Sequence, residues 1–320
     1  MLTDRANLLC LLRVLEEYSD AEHIMTMGEI LAKLKSNYDL KLDRRTIYGA
    51  VALLTTMGYD ISDFPDNGKG YYLRERNFEQ SEIRLLTDAV YSFPYISETQ
   101  TNGIVKKLQG ELSVHQRRNF RNLYPVRGNH KTENKAVFLN IEMLDEAITK
   151  RVQVSFDYLA YGLDKKLHRR RETKYTMNPY GMVCTNEHYY LVCRMVGKEP
   201  LSYYRIDLIS NIELLDTPVE LLEGDDFENT LRKTTYAFTG KPEQVTLRCK
   251  NYIIGDVLDQ FGTDIAVTPD GAEDFIASFT AVPYGIKFWA LQYIPHAEML
   301  EPEWLRNEII DCLKQSPYNE

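Results

Sequence analysis

The chain has 320 residues, 44% of them hydrophobic and 27% charged, which is ordinary globular composition at about twice a typical domain length, so two or three separately packed cores are expected. Its formal net charge of -9 excludes a protein that coats nucleic acid by bulk charge, while leaving room for local basic patches. No run approaches the roughly 18 apolar residues of a membrane helix, and Met1-Leu2-Thr3-Asp4-Arg5 lacks the basic start and apolar run of a secretory leader, so a soluble cytoplasmic protein is expected.

Leu8, Leu9, Leu11, Leu12 and Leu15 recur at helical spacing and predict an amphipathic helix over residues 4–18. Thr26, with Glu29 three residues on, forms a capping box that opens a second helix with Ile30, Leu31 and Leu34 on its buried face. Asp43 caps a third helix, buried through Ile47, Val51 and Leu54 and stopped at Gly58. Residues 59–64 then read as a strand, Asp66 to Gly70 as a tight turn, and 71–76 as the return strand. Three short helices followed by a hairpin make residues 1–78 a helix-turn-helix with a wing, and double-stranded operator DNA its expected partner.

The exposed start of the third helix carries Arg44, Arg45, Thr46 and Tyr48, with Lys41 just ahead, and the wing offers Lys69, Arg74 and Arg76. Such side chains can contact phosphates and base edges when the helix enters a major groove. Residues 1–77 hold 10 Lys/Arg against 12 Asp/Glu, a net of -2. The order of elements and the placement of the basic residues therefore carry the expectation, not the total charge. Solvated charges on a small protein-binding domain are the alternative. The segment resembles the winged helix-turn-helix of many bacterial regulators, in which a helix beginning like Asp43-Arg44-Arg45-Thr46-Ile47-Tyr48 reads DNA.

Ile83, Leu85, Leu86, Ala89 and Val90 predict a helix over 80–91, ended at Phe93-Pro94, and 99–112 and 114–123 read as two more. The last carries His115, Arg117, Arg118 and Arg121, either a phosphate clamp or, more commonly, a basic solvated face. Residues 125–135 have linker composition, so 79–135 reads as a helical linker.

Ile141, Leu144 and Ile148 give a short helix. Val152, Val154 and Phe156 then alternate with Gln153, Ser155 and Asp157, as in a half-buried strand. Short strands around 175–177, 182–184, 189–194 and 202–207, with turn signals at Asn178-Pro179, Thr185-Asn186-Glu187 and Gly197-Lys198, predict a small, strongly bent antiparallel barrel. Eight of the chain's 22 tyrosines lie in this block, between Tyr158 and Tyr204, so they are divided between core and surface. Alternation sets Tyr190, Val192 and Arg194 against Tyr189, Leu191 and Cys193, and Tyr203, Arg205 and Asp207 against Tyr204, Ile206 and Leu208. With the more apolar sets inside, Ser155, Tyr158, Tyr190, Arg194, Arg205 and Asp207 form the candidate ligand surface. Aromatics beside arginines stack on bases and pair with phosphates. Arg169 and Arg171, in the basic run 165–171, add a phosphate-attracting rim. Arg205 and Asp207 can also be a structural pair, and the basic run a plain solvated loop.

The runs Tyr175-Thr176-Met177-Asn178-Pro179-Tyr180-Gly181-Met182-Val183, His188-Tyr189-Tyr190-Leu191-Val192 and Tyr204-Arg205-Ile206-Asp207-Leu208-Ile209 resemble the WYL domain of bacterial transcriptional regulators. The resemblance implies, for residues 136–222, an Sm-like barrel that senses a ligand, often a nucleotide or single-stranded nucleic acid, and controls the attached DNA-binding domain. Two positions depart from the pattern. Tyr189 stands where the family has tryptophan, and Leu208 stands where a second arginine is usual, which removes a charge from the sensing region.

Residues 244–249, 264–268, 274–280 and 298–300 read as strands and 253–261 and 285–291 as helices, a β-α-β-β-α-β order that is a ferredoxin-like signature, followed by a helix over 302–313. Phe288-Trp289-Ala290-Leu291 and Ala297-Glu298-Met299-Leu300-Glu301-Pro302 resemble the WCX-type extension that often follows WYL domains and commonly joins subunits, over 240–316. Trp289 and Trp304 read as core or interface aromatics.

The sequence holds no phosphate-cradling glycine loop and no paired carboxylates in an acid–base setting, and His23, His115, His130, His168, His188 and His296 are scattered. Cys10, Cys184, Cys193, Cys249 and Cys312 form no C-x-x-C pair and are expected as buried free thiols, without a metal or a cofactor. The expected fold class is α+β multidomain: winged helix-turn-helix, helical linker, small Sm-like barrel and ferredoxin-like C-terminal domain. The expected function is a homodimeric, ligand-responsive transcriptional regulator and not an enzyme. The alternatives are a nucleotide- or nucleic-acid-processing enzyme and a DNA-independent adaptor.

Overall fold

The computed structural model describes residues 4–122, 131–185, 188–222 and 241–318. It is an α+β protein with two compact units, Met1–Lys135 and Ala136–Glu320. Among the described residues, no helix is long and apolar enough to cross a membrane.

In the first unit, α1 (Asp4–Tyr18), α2 (Met27–Tyr38) and α3 (Arg44–Thr56) pack around Leu11, Leu15, Ile30, Leu34 and Ile47, each fully buried. Burying each such side chain contributes roughly 1.5–3 kcal/mol. The expected caps are present: Thr26 accepts from the Glu29 amide at 3.3 Å while Glu29 accepts from the Thr26 amide at 2.7 Å. Asp43 Oδ1 accepts from the Thr46 amide at 2.7 Å.

The hairpin after α3 is smaller than expected. Only β1 (Ile61–Ser62) and β2 (Tyr72–Leu73) pair, because Asp63 caps a one-turn helix, α4 (Phe64–Asn67), whose first turn is preset by Pro65. Asn67 closes the turn, its amide donating to Ser62 Oγ and Gly70 O while its oxygen accepts from the Lys69 and Gly70 amides. The hairpin is fixed to the chain ahead of α2 by a two-bond bridge between Met25 and Tyr71, at 2.9 and 2.8 Å.

Beyond it, α5 (Gln80–Ser92) and α6 (Glu98–Gly110) pack around a small cluster of Ile83, Leu112 and Phe120. The helix expected over 114–123 is a 3-10 helix, Gln116–Asn122. Its start is bound by Ser113 and Gln116, each side chain accepting from the other's amide at 3.1 Å. The chain ahead of it is anchored to α1 by the Val114 amide on Glu17 O at 2.8 Å. Residues 123–130, which include the first part of the 125–135 stretch of linker composition, lie outside the described residues.

The second unit opens with α7 (Val137–Lys150), which packs on an antiparallel sheet with the order β8-β3-β5-β6-β7. The strands are β3 (Val152–Tyr161), β5 (Tyr175–Thr185), β6 (His188–Met195), β7 (Leu201–Arg205) and β8 (Ile209–Pro218). Phe156, Met177, Leu191, Cys193 and Ile209 form its core, and Tyr189 and Tyr204 pack against it.

Four expectations change here. The Asn178-Pro179 turn lies inside β5, where a register shift between Pro179 and Gly181 accommodates the ring, and buried Asn178 is held extended by Gln153, Arg194 O and Glu220. Residues 167–169, expected in a loop, form β4 (Leu167–Arg169) against β3. Gln153, Ser155 and Asp157 are buried at 6%, 6% and 2% exposure, so β3 is covered on both faces. The strand expected over 202–207 ends at Arg205, and Asp207 sits in a 3-10 turn, Ile206–Leu208, that leads into a further strand, β8.

The remainder runs β9 (Glu243–Lys250), α8 (Ile254–Phe261), β10 (Ala266–Asp270), β11 (Asp274–Ala281), α9 (Pro283–Gln292), β12 (Ala297–Glu301) and α10 (Glu303–Lys314). The strands form one antiparallel sheet in the order β10-β11-β9-β12. Val245, Leu247 and Cys249 point from β9 into a core with Trp289, while Arg248, on the other face, pairs with Asp270 and Glu298. Trp304 is partly exposed and donates from Nε1 to Glu243 at 3.0 Å. Cys10, Cys193 and Cys249 are buried as expected, whereas Cys184 and Cys312 are exposed.

Candidate functional site

The first candidate surface lies at the start of α3. Asp43 turns the chain into the helix, which faces the core with Ile47, Val51 and Leu54 and leaves Arg44, Arg45, Thr46 and Tyr48 exposed, with Lys41 exposed just ahead. The Asp43 carboxyl is held below its ordinary range by the backbone amide and side chain of Thr46, so it remains a charged cap at neutral pH.

The wing residues divide. Lys69 is exposed at the turn. Arg74 is bound to Asp60 at 2.9 Å and to Asp66, bracing the base of the hairpin. Arg76, expected to face outward, turns inward and donates to Ser19 O at 2.6 Å and Glu111 O at 3.2 Å. Those carbonyls belong to the end of α1 and the end of α6, so Arg76 ties the hairpin to the helices beside it. Arg117 is similarly held, by Glu17 at 3.2 Å and Leu112 O at 3.0 Å, and the Arg121 side chain lies outside the described residues.

The second candidate surface lies on the sheet of the second unit. Tyr190 stands directly opposite Arg205 in the β6–β7 ladder, so the two share a face. The Arg205 guanidinium donates from Nε to Asp207 Oδ1 at 3.1 Å and from Nη2 to Oδ2 at 2.8 Å. Its backbone amide donates to the Tyr158 hydroxyl at 3.3 Å. Tyr158, Tyr190, Arg205 and Asp207 are therefore one cluster. Burial raises the pKa of both tyrosines, which keeps them neutral phenols able to donate.

This cluster continues through rings. Tyr158 meets Tyr204 edge-on at 4.8 Å and Tyr175 at 6.1 Å, and the Arg171 guanidinium lies 3.5 Å above the Tyr175 ring. Arg171 also donates to Thr173 O and Lys174 O, which fixes it over that ring. Tyr175 and Tyr204 thus connect the basic rim to Arg205. Sequence alternation assigned Tyr204 to the interior without this link, although Arg171 stands only four residues before Tyr175.

The other expected residues lie elsewhere. Ser155 donates to Glu213 at 3.3 Å, beside the Lys174–Glu213 pair. Arg194 pairs with Glu220 at 3.2 Å and reaches Leu221 O, clasping the strand that leaves the sheet. Arg169 pairs with buried Asp157 at 3.0 Å, and Asp157 also accepts from Asn211 at 2.7 Å. Sequence reading missed Asp157 because a strand expected to be half buried put it on the solvent side. It also missed Asn140, whose buried amide on α7 donates to Ile206 O at 3.3 Å and Ile209 O at 2.8 Å. Those bonds fix the turn that carries Asp207. Leu208 is buried at 8% exposure, so its side chain belongs to the packing and not to the surface.

Among the described residues there is no group of three His, Cys, Asp or Glu placed to hold a metal ion. Arginines displayed over buried carboxylates and tyrosine rings can stack on a flat ring and bind an anionic group.

The fold and this surface define an α+β protein with an arginine–tyrosine site on a small antiparallel sheet. Residues 140–214 match the WYL domain family, so the chain carries a WYL domain over that stretch. Among solved structures, it is similar to proteasome accessory factor B/C (PafBC) of Arthrobacter aurescens, at 17% identity and a TM-score of 0.29, with 99% of this chain and 49% of that one covered. The chain thus spans about half the length of that protein. It is also similar to a CRISPR Cas-related protein, at 12% identity and a TM-score of 0.37, covering 73% of this chain and 70% of that one. No curated protein matches.

Proposed function

We propose that the chain is a ligand-responsive, DNA-binding transcriptional regulator of the cytoplasm and not an enzyme. On this reading residues 1–78 are a winged helix-turn-helix and 79–135 a helical linker. Residues 136–222 are an Sm-like sensing barrel, and 240–316 a ferredoxin-like, WCX-type domain that joins two copies. The observation that carries it is the start of α3, where Arg44, Arg45, Thr46 and Tyr48 are all exposed on a helix whose opposite face is locked into the core. A rigid helix of that kind, beside a short hairpin, is what a major groove accepts, and a twofold dimer suits paired half-sites.

The effector site is the cluster of Tyr158, Tyr190, Arg205 and Asp207, with Arg171 and Tyr175 at its rim. Its chemistry favours a nucleotide or a short single-stranded nucleic acid, with the base on the rings and a phosphate at the arginines. An effector of higher affinity for one arrangement of the DNA-binding heads would shift operator binding.

Gel shifts against the DNA upstream of the protein's own gene test the reading. Arg44→Ala and Arg45→Ala are each expected to weaken sequence-specific binding by about tenfold or more and to lower the salt slope by about 1 if a phosphate contact is lost. Arg74→Ala is expected to act less, since that side chain is engaged by Asp60 and Asp66. Unchanged binding in both α3 variants would overturn the docking assignment.

A further inference from the structure

His23, in the turn between α1 and α2, and His115, just ahead of the 3-10 helix, stack face to face, with centroids 3.7 Å apart and planes 5° apart. They line an open cleft of about 440 Å³ together with Asp20, Glu22, Gln80, Gln116 and Arg118. Asp20, only 7% exposed, is the hub beneath them. It is bonded to His23 Nδ1 at 2.8 Å and accepts from the His23 amide at 2.9 Å, the Glu22 amide at 3.1 Å and the Ser113 hydroxyl at 2.5 Å. Alongside, the Val114 amide donates to Glu17 O at 2.8 Å and Arg117 pairs with Glu17 at 3.2 Å. These bonds attach residues 113–118 to the turn and to the end of α1.

The charges around the stack are unevenly balanced. The α1–α2 turn supplies Asp20 and Glu22, and the end of α1 supplies Glu17, which Arg117 already occupies. The 3-10 helix brings Arg118, and Arg76 acts on Asp20 from beyond the hairpin. Asp20 can balance one imidazolium, whichever ring carries it. A second places two like charges 3.7 Å apart, with Arg118 adding a third.

We propose that the His23–His115 stack is a proton-sensitive latch: it holds residues 113–118 against the α1–α2 turn while His115 is neutral, and it opens when both rings are charged. The open cleft lets a charged ring swing into solvent, whereas Asp20 keeps the other in place. Burial, then the neighbouring His23, hold the His115 imidazole below its ordinary range, in keeping with this arrangement. The latch joins the first three helices to the α5–α6 pair, so opening it would loosen that attachment under mild acid, whether or not DNA is bound.

The test uses the full chain and NMR. The Val114 amide, corrected for its intrinsic exchange rate, is expected to lose about tenfold in protection between about pH 7 and about pH 5.5. His115→Phe keeps a stacking ring but cannot take a proton, and its Val114 protection is expected to stay constant over that range. In His23→Gln, the ring resonance of His115 is expected to titrate at higher pH than in the parent. Protection that is independent of pH in the parent, equal loss in His115→Phe, or a His115 titration unmoved by His23→Gln would each overturn the latch. The parent measurements stand even if a variant fails to fold.

Discussion

Arg205 and Asp207 form a two-bond pair in which the Asp207 side chain is buried to 2% exposure while about a third of the Arg205 side chain, 32%, faces solvent. A charge is therefore displayed at the surface on a support that is itself hidden. Arg205→Ala leaves the Asp207 carboxylate without its guanidinium partner and is expected to destabilise the second unit by roughly 1–3 kcal/mol, at the low end because of solvent screening. Arg205→Lys keeps a charge without the two-pronged geometry and is expected to fall between parent and Arg205→Ala. Urea midpoints of the three proteins give the order, and an Arg205→Lys protein no more stable than Arg205→Ala would show that charge contributes nothing there.

Asn140 holds the turn in which Asp207 sits. Asn140→Leu removes the Asn140 amide from two buried carbonyls, Ile206 O and Ile209 O, with an expected cost on the order of 1–3 kcal/mol. On the proposed effector reading, nucleotide titrations on the folded variant are expected to show weakened binding as well, because the Arg205–Asp207 pair loses its fixed position. Calorimetric affinities equal to those of the parent would separate the turn from the site.

Gly70 is required by a close approach. A Cβ there would lie 2.1 Å from Met25 O and 2.8 Å from Met25 C, both backbone atoms of the bridge that holds the hairpin. Gly70→Ala is expected to cost about 2–3 kcal/mol and to release the hairpin and, on the proposed DNA-binding reading, to lower DNA affinity alongside stability. A thermal melt within a degree or so of the parent would mean that the bridge yields without penalty.

Asp20 makes the first unit sensitive to acid. Burial raises its carboxyl, but the hydrogen bonds from Ser113 and His23 outweigh this and hold it below the ordinary carboxylate value. The folded state therefore gains stability from Asp20 above the unfolded pKa, about 4, and loses it as pH falls through the lower folded value. His115 adds a separate loss at higher pH: its folded pKa is depressed, so its stabilisation is present above about 6.5 and declines as pH drops through that range toward the folded value. Chemical denaturation from neutral pH downward should show both stages. Asp20→Asn is expected to flatten the lower stage, and His115→Phe the upper one.

The helical part of the chain was the more legible. Thr26 with Glu29, and Asp43 with Thr46, are local patterns within one turn, and the structure places both caps where the spacing predicts. The β-α-β-β-α-β succession in the last part of the chain follows the same logic, since its helices and strands differ in period and its turns carry proline and glycine. The tyrosine-rich region was read less well. Asn178-Pro179 has the composition of a turn, yet bonds from residues as distant as Glu220 keep it in a strand. Arg74, Arg76 and Arg194 have the look of free basic residues, and partners 8 to 57 positions away in the chain claim them.

By itself, the sequence determined the first three helices with their caps and the β-α-β-β-α-β succession near the C-terminus, that Tyr189, Leu191 and Tyr204 face inward, and that Tyr190 and Arg205 share a side. Periodicity and capping depend on residues a few positions apart. Only the tertiary structure decided which charged residues remain available. It placed Arg205 over Asp207, Arg171 over Tyr175 and His23 against His115, and it turned Arg76 and Arg194 to structural use. Whether a cation is spent on a carboxylate or left for a ligand depends on which distant groups the fold brings within about 3 Å.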